Sequence, residues 1–196
     1  MKNDRRPLAA SMILAMTLLM ACVPSSAQIP QKEVFGRIVR VTDGDTVTLL
    51  SSDNIRITIR LAGIDAPESR MPYGHAAQAH LAGLLLNKEV VAVTHKQDRY
   101  RRTVATLLMG SKDINLTMVQ AGMAWHYKRY AHEQPRNQAA NYAQSEQVAR
   151  TEGRGLWQHE KPMPPWLWRK YRMSPDQPDK NHSWGFTFQH GRISKT

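Results

Sequence analysis

The sequence predicts a mainly β fold of the α+β class: a five-stranded OB-like β-barrel packed with about three helices. Three observations predict it. Five short segments are rich in β-branched residues, turn signals of Asp, Gly, Ser and Asn separate the first three of them, and three longer stretches have helical character. Short strands with intervening helices are the pattern of a small closed barrel with helices against it. With 196 residues, of which 41% are hydrophobic, the chain holds one ordinary domain with short appendages rather than two domains.

The N-terminus reads as an export signal. Lys2, Arg5 and Arg6 form a charged start, Leu8 to Ala21 an apolar run, and Ser25-Ser26-Ala27 a small-residue cleavage site. The run has 14 residues, too few to span a bilayer comfortably. Residues 1–27 are therefore assigned to a signal peptide, and the mature chain is expected outside the cytoplasm, periplasmic or secreted, with no transmembrane segment. Cys22, the only cysteine, follows Leu19-Met20-Ala21 and offers a second reading, a lipoprotein acylated at Cys22. Met20 is unusual in such a site, so cleavage after Ala27 is preferred. A single cysteine also excludes an intrachain disulfide, leaving stability to the core.

The first strand spans Val34 to Val41, the second Thr46 to Leu50 and the third Ile55 to Leu61, a meander joined by Asp43-Gly44 and Ser51 to Asn54. In the third, Ile55, Ile57, Ile59 and Leu61 alternate with Arg56, Thr58 and Arg60, which places the aliphatic side chains on the core face and both arginines on the other. Tyr73 to Leu86 has the Ala and Leu content and the spacing of a helix. Strand character returns at Val90 to Thr94 and Thr103 to Met109, around a charged loop from His95 to Arg102. Asp113 to Gly122 and Arg136 to Glu152 read as further helices, the latter stopped at Gly153 and Gly155, with Leu156 and Trp157 expected to dock on the core. The folded domain is drawn at 34–158. Residues 159–196 contain five prolines, three tryptophans and a local charge of +4 without periodicity, and are assigned to a basic Pro/Trp tail.

The charge balance points to a polyanionic partner. Twenty-seven Lys and Arg against 16 Asp and Glu give +11, and loss of residues 1–27 removes three basic residues and Asp4, leaving +9. Such a surface attracts phosphates, although many cationic proteins bind none, so a site is needed beside it.

Three clusters supply candidates. In Thr42-Asp43-Gly44-Asp45-Thr46 the Asp-Gly pair suffices for a hairpin turn, but Asp45 at a strand start is left unexplained. In Arg60-Leu61-Ala62-Gly63-Ile64-Asp65-Ala66-Pro67-Glu68 a strand with an outward arginine enters a loop that presents two carboxylates, while Pro67 keeps Ala66 extended. Asp45, Asp65 and the Ala66 carbonyl have the oxygen-only chemistry that hard cations take. In Asp98-Arg99-Tyr100-Arg101-Arg102 three arginines flank a tyrosine, and guanidinium forks match phosphate oxygens. The eight histidines do not offer a competing metal site: His75 and His80 are five apart, and no His-Glu-x-x-His run exists.

In this order and spacing, the three clusters resemble the signatures of the staphylococcal nuclease (thermonuclease) family. The likeness continues through Asn115-Leu116, Gln120 to Trp125 and Gly155-Leu156-Trp157, covering about Val34 to Trp157. The resemblance implies a metal-dependent endonuclease that hydrolyses DNA and/or RNA with one calcium ion, other divalent ions being alternatives. It implies Asp45, Asp65 and the Ala66 carbonyl as metal ligands, Glu68 as general base, Arg60 and Arg102 as catalytic arginines, and Arg99 with Tyr100 at the substrate phosphates. It also implies cleavage that leaves a 3′-phosphate. Tyr127 and Tyr130 are candidates for base stacking, although the family's aromatic pair does not align cleanly here. The family archetype has threonine at Ala66 and glycine at Arg101, and Arg101 is expected to add charge beside the phosphate clamp. The competing class is a non-catalytic OB-type nucleic-acid-binding protein of the cell envelope. All five matching catalytic side chains are present, which favours the enzyme. A monomer is expected.

Overall fold

The computed structural model describes residues 32–172. The expected signal peptide with Cys22, and the tail beyond residue 172, lie outside the described residues.

The barrel is built from β1 (Glu33–Asp43), β2 (Thr46–Ser51), β3 (Arg56–Leu61), β5 (Glu89–Gln97) and β6 (Thr103–Met109). Their antiparallel order is β3-β2-β1-β5-β6, and a parallel pairing of β3 with β6 closes the ring. The expected five-stranded barrel is thus present, its strand limits within a few residues of those read from alternation. Two register shifts in β1 and one in β5 bend these long strands around the barrel. Short pairs complete the sheets: β7 (Lys112–Asp113) extends β6, and β4 (Ile64–Asp65) pairs with β8 (Trp125–His126).

Helices α1 (Gly74–Leu85), α2 (Ile114–Gln120) and α3 (Arg136–Thr151) match the three expected ones, and two 3-10 turns lie at Lys128–Glu133 and Gly155–Gln158. Ile38, Val47, Leu49, Ile59, Leu61 and Leu107 fill the barrel, and Ala77, Leu81 and Leu85 of α1 and Ile114, Met118 and Val119 of α2 pack against them. Each fully buried aliphatic side chain of this kind contributes about 1.5–3 kcal/mol relative to exposure. Leu156 is buried and Trp157 meets Trp125 edge to face at 5.2 Å, as expected of that docking segment.

Two elements differ from the sequence reading. Ile55 is 57% exposed, because β3 begins only at Arg56 and the Ser51–Ile55 backbone pair holds Ile55 at the turn. Part of the segment read as an aperiodic tail is helical: α4 spans Pro165–Arg172. Proline suits a first helical position, since its fixed φ and missing N–H cost nothing there.

Barrel closure positions the chemistry. The parallel pairing sets Arg60 of β3 opposite Val104 of β6, two residues after Arg102, so two arginines distant in sequence reach one edge of the barrel. Asn115 of α2 holds this closure from beneath: its Nδ2 donates to the carbonyls of Ala62 and Ala105 at 3.0 and 3.1 Å, and its Oδ1 accepts the Leu107 N–H. A buried amide satisfied on both ends fixes the strand pair and the start of the loop that follows β3.

Candidate active site

The β1–β2 turn brings in the first carboxylate. Gly44 packs so closely on Ala66 and on Ala77 of α1 that a Cβ there would stand 2.7 Å from each of their β-carbons. The close approach lets Asp45 Oδ2 accept the Ala66 N–H at 2.7 Å, joining the first and second sequence clusters directly. Asp45 Oδ1 takes the Thr46 hydroxyl, and its own N–H bonds Asp43 Oδ1.

The loop after β3 brings in Asp65 and Glu68. The β4–β8 pairing holds Asp65 against Trp125, wholly buried. Glu68 opens a tight turn whose carbonyl accepts the Met71 N–H at 2.8 Å. A Cβ on Gly74 would lie 2.0 Å from that carbonyl, so glycine at the start of α1 is what allows the Glu68 loop to settle there.

Arg60 bridges the two buried carboxylates, Nη1 to Asp45 and Nη2 to Asp65, both at 2.8 Å. Even so, burial holds Asp45 well above the usual carboxylate range: Arg60 pulls it down, and Asp43 and Asp65 push it further up. Burial likewise raises Asp65, against the pull of Arg60 and Arg169. Two anionic groups this poorly solvated call for positive charge.

The third cluster shares with them a cleft of about 630 Å³ lined by Asp43, Asp45, Arg60, Glu68, Arg99, Tyr100, Arg102, Tyr127, Tyr130 and Arg169, among others. Asp98 organises that loop. Its Oδ1 accepts the N–H groups of Tyr100 and Arg102, its Oδ2 accepts Arg102 Nε at 2.8 Å, and these bonds hold its carboxyl below the ordinary value despite desolvation. Arg99 and Arg102 both lie over the Tyr100 ring, at 4.8 and 5.5 Å. Arg101 lies in the same turn, between Tyr100 and Arg102, with φ of +64°, and is not among the residues that line the cleft. The left-handed backbone gives a physical reason for glycine at the equivalent archetype position.

Tyr127 and Tyr130 meet edge to face at 5.0 Å, with Lys96 over the Tyr130 ring. One face of Tyr127 is taken: Trp166 of α4 stacks on it at 5.3 Å, nearly parallel. The structure therefore brings all ten sequence-predicted residues to one region, with Ala66 and Asp65 forming its buried floor.

Arg169 of α4 was not anticipated. Its Nη2 lies 2.6 Å from Asp65 Oδ2, and its Nη1 lies 2.7 Å from Glu68 Oε1 and 3.3 Å from Asp65 Oδ1. No local signal marks it, because its partners lie about a hundred positions earlier in the chain; the proline and tryptophan just before it were the only hint.

Among the described residues, no group of three or more His, Cys, Asp or Glu side chains is arranged to hold a metal ion. The donor chemistry nevertheless fits a hard divalent cation. Asp43, Asp45, Asp65 and Glu68 outnumber Arg60 and Arg169 by two charges in the cluster they share, and the donors are oxygens throughout.

The chain is similar to known proteins over most of its length. Residues 58–159 match the family described as staphylococcal nuclease homologues. The chain is 36% identical over 167 residues to an "uncharacterized endonuclease" of Haemophilus influenzae, covering 85% of this chain and 86% of that one. It is 35% identical to the "micrococcal nuclease" of Shigella flexneri over 81% of this chain and 90% of the other. A second "uncharacterized endonuclease", from Escherichia coli, is 36% identical over 70% of this chain and 86% of its own.

Proposed function

Because the chain belongs to the family of staphylococcal nuclease homologues, we propose that it is an exported endonuclease that hydrolyses phosphodiester bonds of DNA and/or RNA with the help of a divalent ion, calcium by preference. The observation that carries this reading is the pairing of two buried carboxylates, Asp45 and Asp65, with Arg60 in a cleft that Arg102 also lines.

A phosphodiester is protected by its charge, so a catalyst must neutralise its oxygens, activate water and stabilise the charge that builds at phosphorus. Asp45, Asp65 and the Ala66 carbonyl would hold the ion, which supplies positive charge at the phosphate oxygens when bound. Arg60 and Arg102, which both line the cleft, then donate to the equatorial oxygens, with Asp98 holding Arg102 in place in advance. Glu68 stands at the mouth of the carboxylate cluster, half-exposed, where it takes the proton of the attacking water. The water oxygen bonds phosphorus, the bond to the 5′ oxygen breaks, and that oxygen is protonated from solvent, leaving a 3′-phosphate. Arg99 and Tyr100 bind flanking phosphates. Tyr127 and Tyr130, which line the cleft, provide stacking for bases, a contact worth about 1–3 kcal/mol per base.

Export rests on the basic, apolar and small-residue order of residues 1–27. No described helix is long and apolar enough to cross a membrane. Purified mature protein incubated with plasmid and with RNA, in calcium or in excess chelator, tests the central reading. Cleavage is expected only with the divalent ion, and full activity in chelator overturns the metal assignment. Tight binding without cleavage under every condition replaces the enzyme with a binding module.

A further inference from the structure

Arg169 lies ten residues beyond the stretch that matches the family, yet its guanidinium makes three hydrogen bonds to two of the proposed active-site carboxylates. We propose that Arg169 is a positioning residue of this nuclease, holding Glu68 in the orientation that activates water, and that α4 is part of the catalytic unit rather than of an appended tail. The inference rests on the function proposed above.

Glu68 needs such a partner. It sits on a loop with its side chain 38% exposed, and its only carboxylate contact among the described residues is Arg169 Nη1. A free glutamate side chain samples many rotamers, and selecting one of them costs entropy. A guanidinium that grips Asp65 and Glu68 together ties the mobile carboxylate to a wholly buried one. The planar fork suits this double grip, whereas an ammonium offers a single point of charge. Asp65 and Glu68 in turn keep Arg169 charged, raising its pKa above the ordinary guanidinium value although burial opposes this.

The aim of Arg169 is set by Trp166. Residues three apart share a helix face, so the ring that fixes α4 also directs the arginine. Trp166 stacks on Tyr127 at 5.3 Å and meets Trp125 edge to face at 6.3 Å, and Trp125 is itself paired with Asp65 across β4 and β8. The anchor and the target of Arg169 are thus built on the same short strand pair. At 37% exposure the Arg169 side chain still lines the cleft, so it shapes the wall without sealing the carboxylates away.

The test is a double-mutant cycle on the mature protein with a short single-stranded DNA substrate in calcium. Arg169→Ala should lower kcat at least about tenfold while KM changes less than about threefold, and Arg169→Lys should recover part of the loss because one contact to Glu68 survives. In a Glu68→Gln background the same Arg169→Ala change should cost less than about twofold, since residues acting as a unit are not additive. Trp166→Ala leaves every charge in place and tests the anchor in case Arg169→Ala does not fold; it too should lower kcat. Losses that are equal in both backgrounds indicate a merely structural role and overturn the proposal. An unchanged or raised kcat for Arg169→Ala overturns it as well, the raised value marking α4 as a plug. A parent protein that does not cleave at all refutes the nuclease reading instead, so the two failures are distinct.

Discussion

Arg60 joins Asp45 to Asp65, giving one terminal nitrogen to each carboxylate at 2.8 Å. Asp65 is also held by Arg169, yet desolvation outweighs the guanidinium contacts at both carboxyls and raises the pKa of each. Asp45→Asn should therefore stabilise the protein in chelator at pH 7 to 8 while abolishing cleavage. The substitution leaves Arg60 paired with Asp65, and the new amide oxygen can still accept the Ala66 N–H. The sign of the pH dependence follows from linkage. A carboxyl whose folded pKa lies above its unfolded value of 3.8 costs stability when ionised, so the native state holds the extra proton as pH falls. The advantage of Asp45→Asn should shrink as pH drops through the folded range and vanish below the unfolded value. Urea denaturation across pH checks both the gain and its slope.

Arg101 carries a different strain. A φ of +64° costs a residue with a β-carbon about 1–2 kcal/mol, and glycine adopts it freely. Glycine also has more freedom to lose on folding, about 0.4–1 kcal/mol. Arg101→Gly should on balance stabilise the protein by about 0.5–1 kcal/mol, whereas Arg99→Gly, at a position without positive φ, should destabilise it. Equal destabilisation by both substitutions in urea titrations would remove backbone strain as the explanation.

The barrel and most of the site could be read from local pattern. Alternation in Ile57, Ile59 and Leu61 marks a strand without help from the rest of the chain, and Asp45, Asp65, Glu68 and Arg102 lie in short clusters whose composition a plain turn or solvated loop does not explain. Ile55 was misread because alternation says nothing about where pairing stops, and the turn after β2 ends the core face two residues early. Arg169 was invisible for a related reason. Eight residues carry too few turns to show a helical period, and a helix that short is held by tertiary contact, here the stacking of Trp166 on Tyr127, rather than by propensity. The Asn115 clamp on Ala62 and Ala105 is also non-local, although its motif lay within the recognised likeness.

Export predicts a defined mature N-terminus. Edman sequencing or intact mass of protein recovered from the periplasm or medium should give a start at Gln28, which removes two net positive charges and retains the whole barrel from Glu33. An acylated start at Cys22 would replace the soluble form with a lipoprotein.

Arg102 and Glu68 offer the sharpest check on the chemistry, because both are assigned to the transition state rather than to ground-state binding. Arg102→Ala removes a charge donor that Asp98 holds in advance through its side chain and backbone, and should lower kcat at least about 10²-fold, as loss of a preorganised donor does in other enzymes. Glu68→Gln should do likewise by removing the proton acceptor. Affinity should suffer much less: Arg99 remains on the cleft wall, the mature chain still carries most of its +9 charge, and phosphate attraction of this kind falls steeply with salt. Asp98→Ala separates position from charge. It leaves Arg102 charged but unheld, so its kcat should lie between those of the parent and Arg102→Ala. Measuring kcat and oligonucleotide Kd for all three variants at two salt concentrations decides the matter. Parent-like cleavage by folded Arg102→Ala and Glu68→Gln would show that the reaction is carried out by other residues, and a Kd loss as large as the kcat loss would move Arg102 from the transition state to ground-state binding.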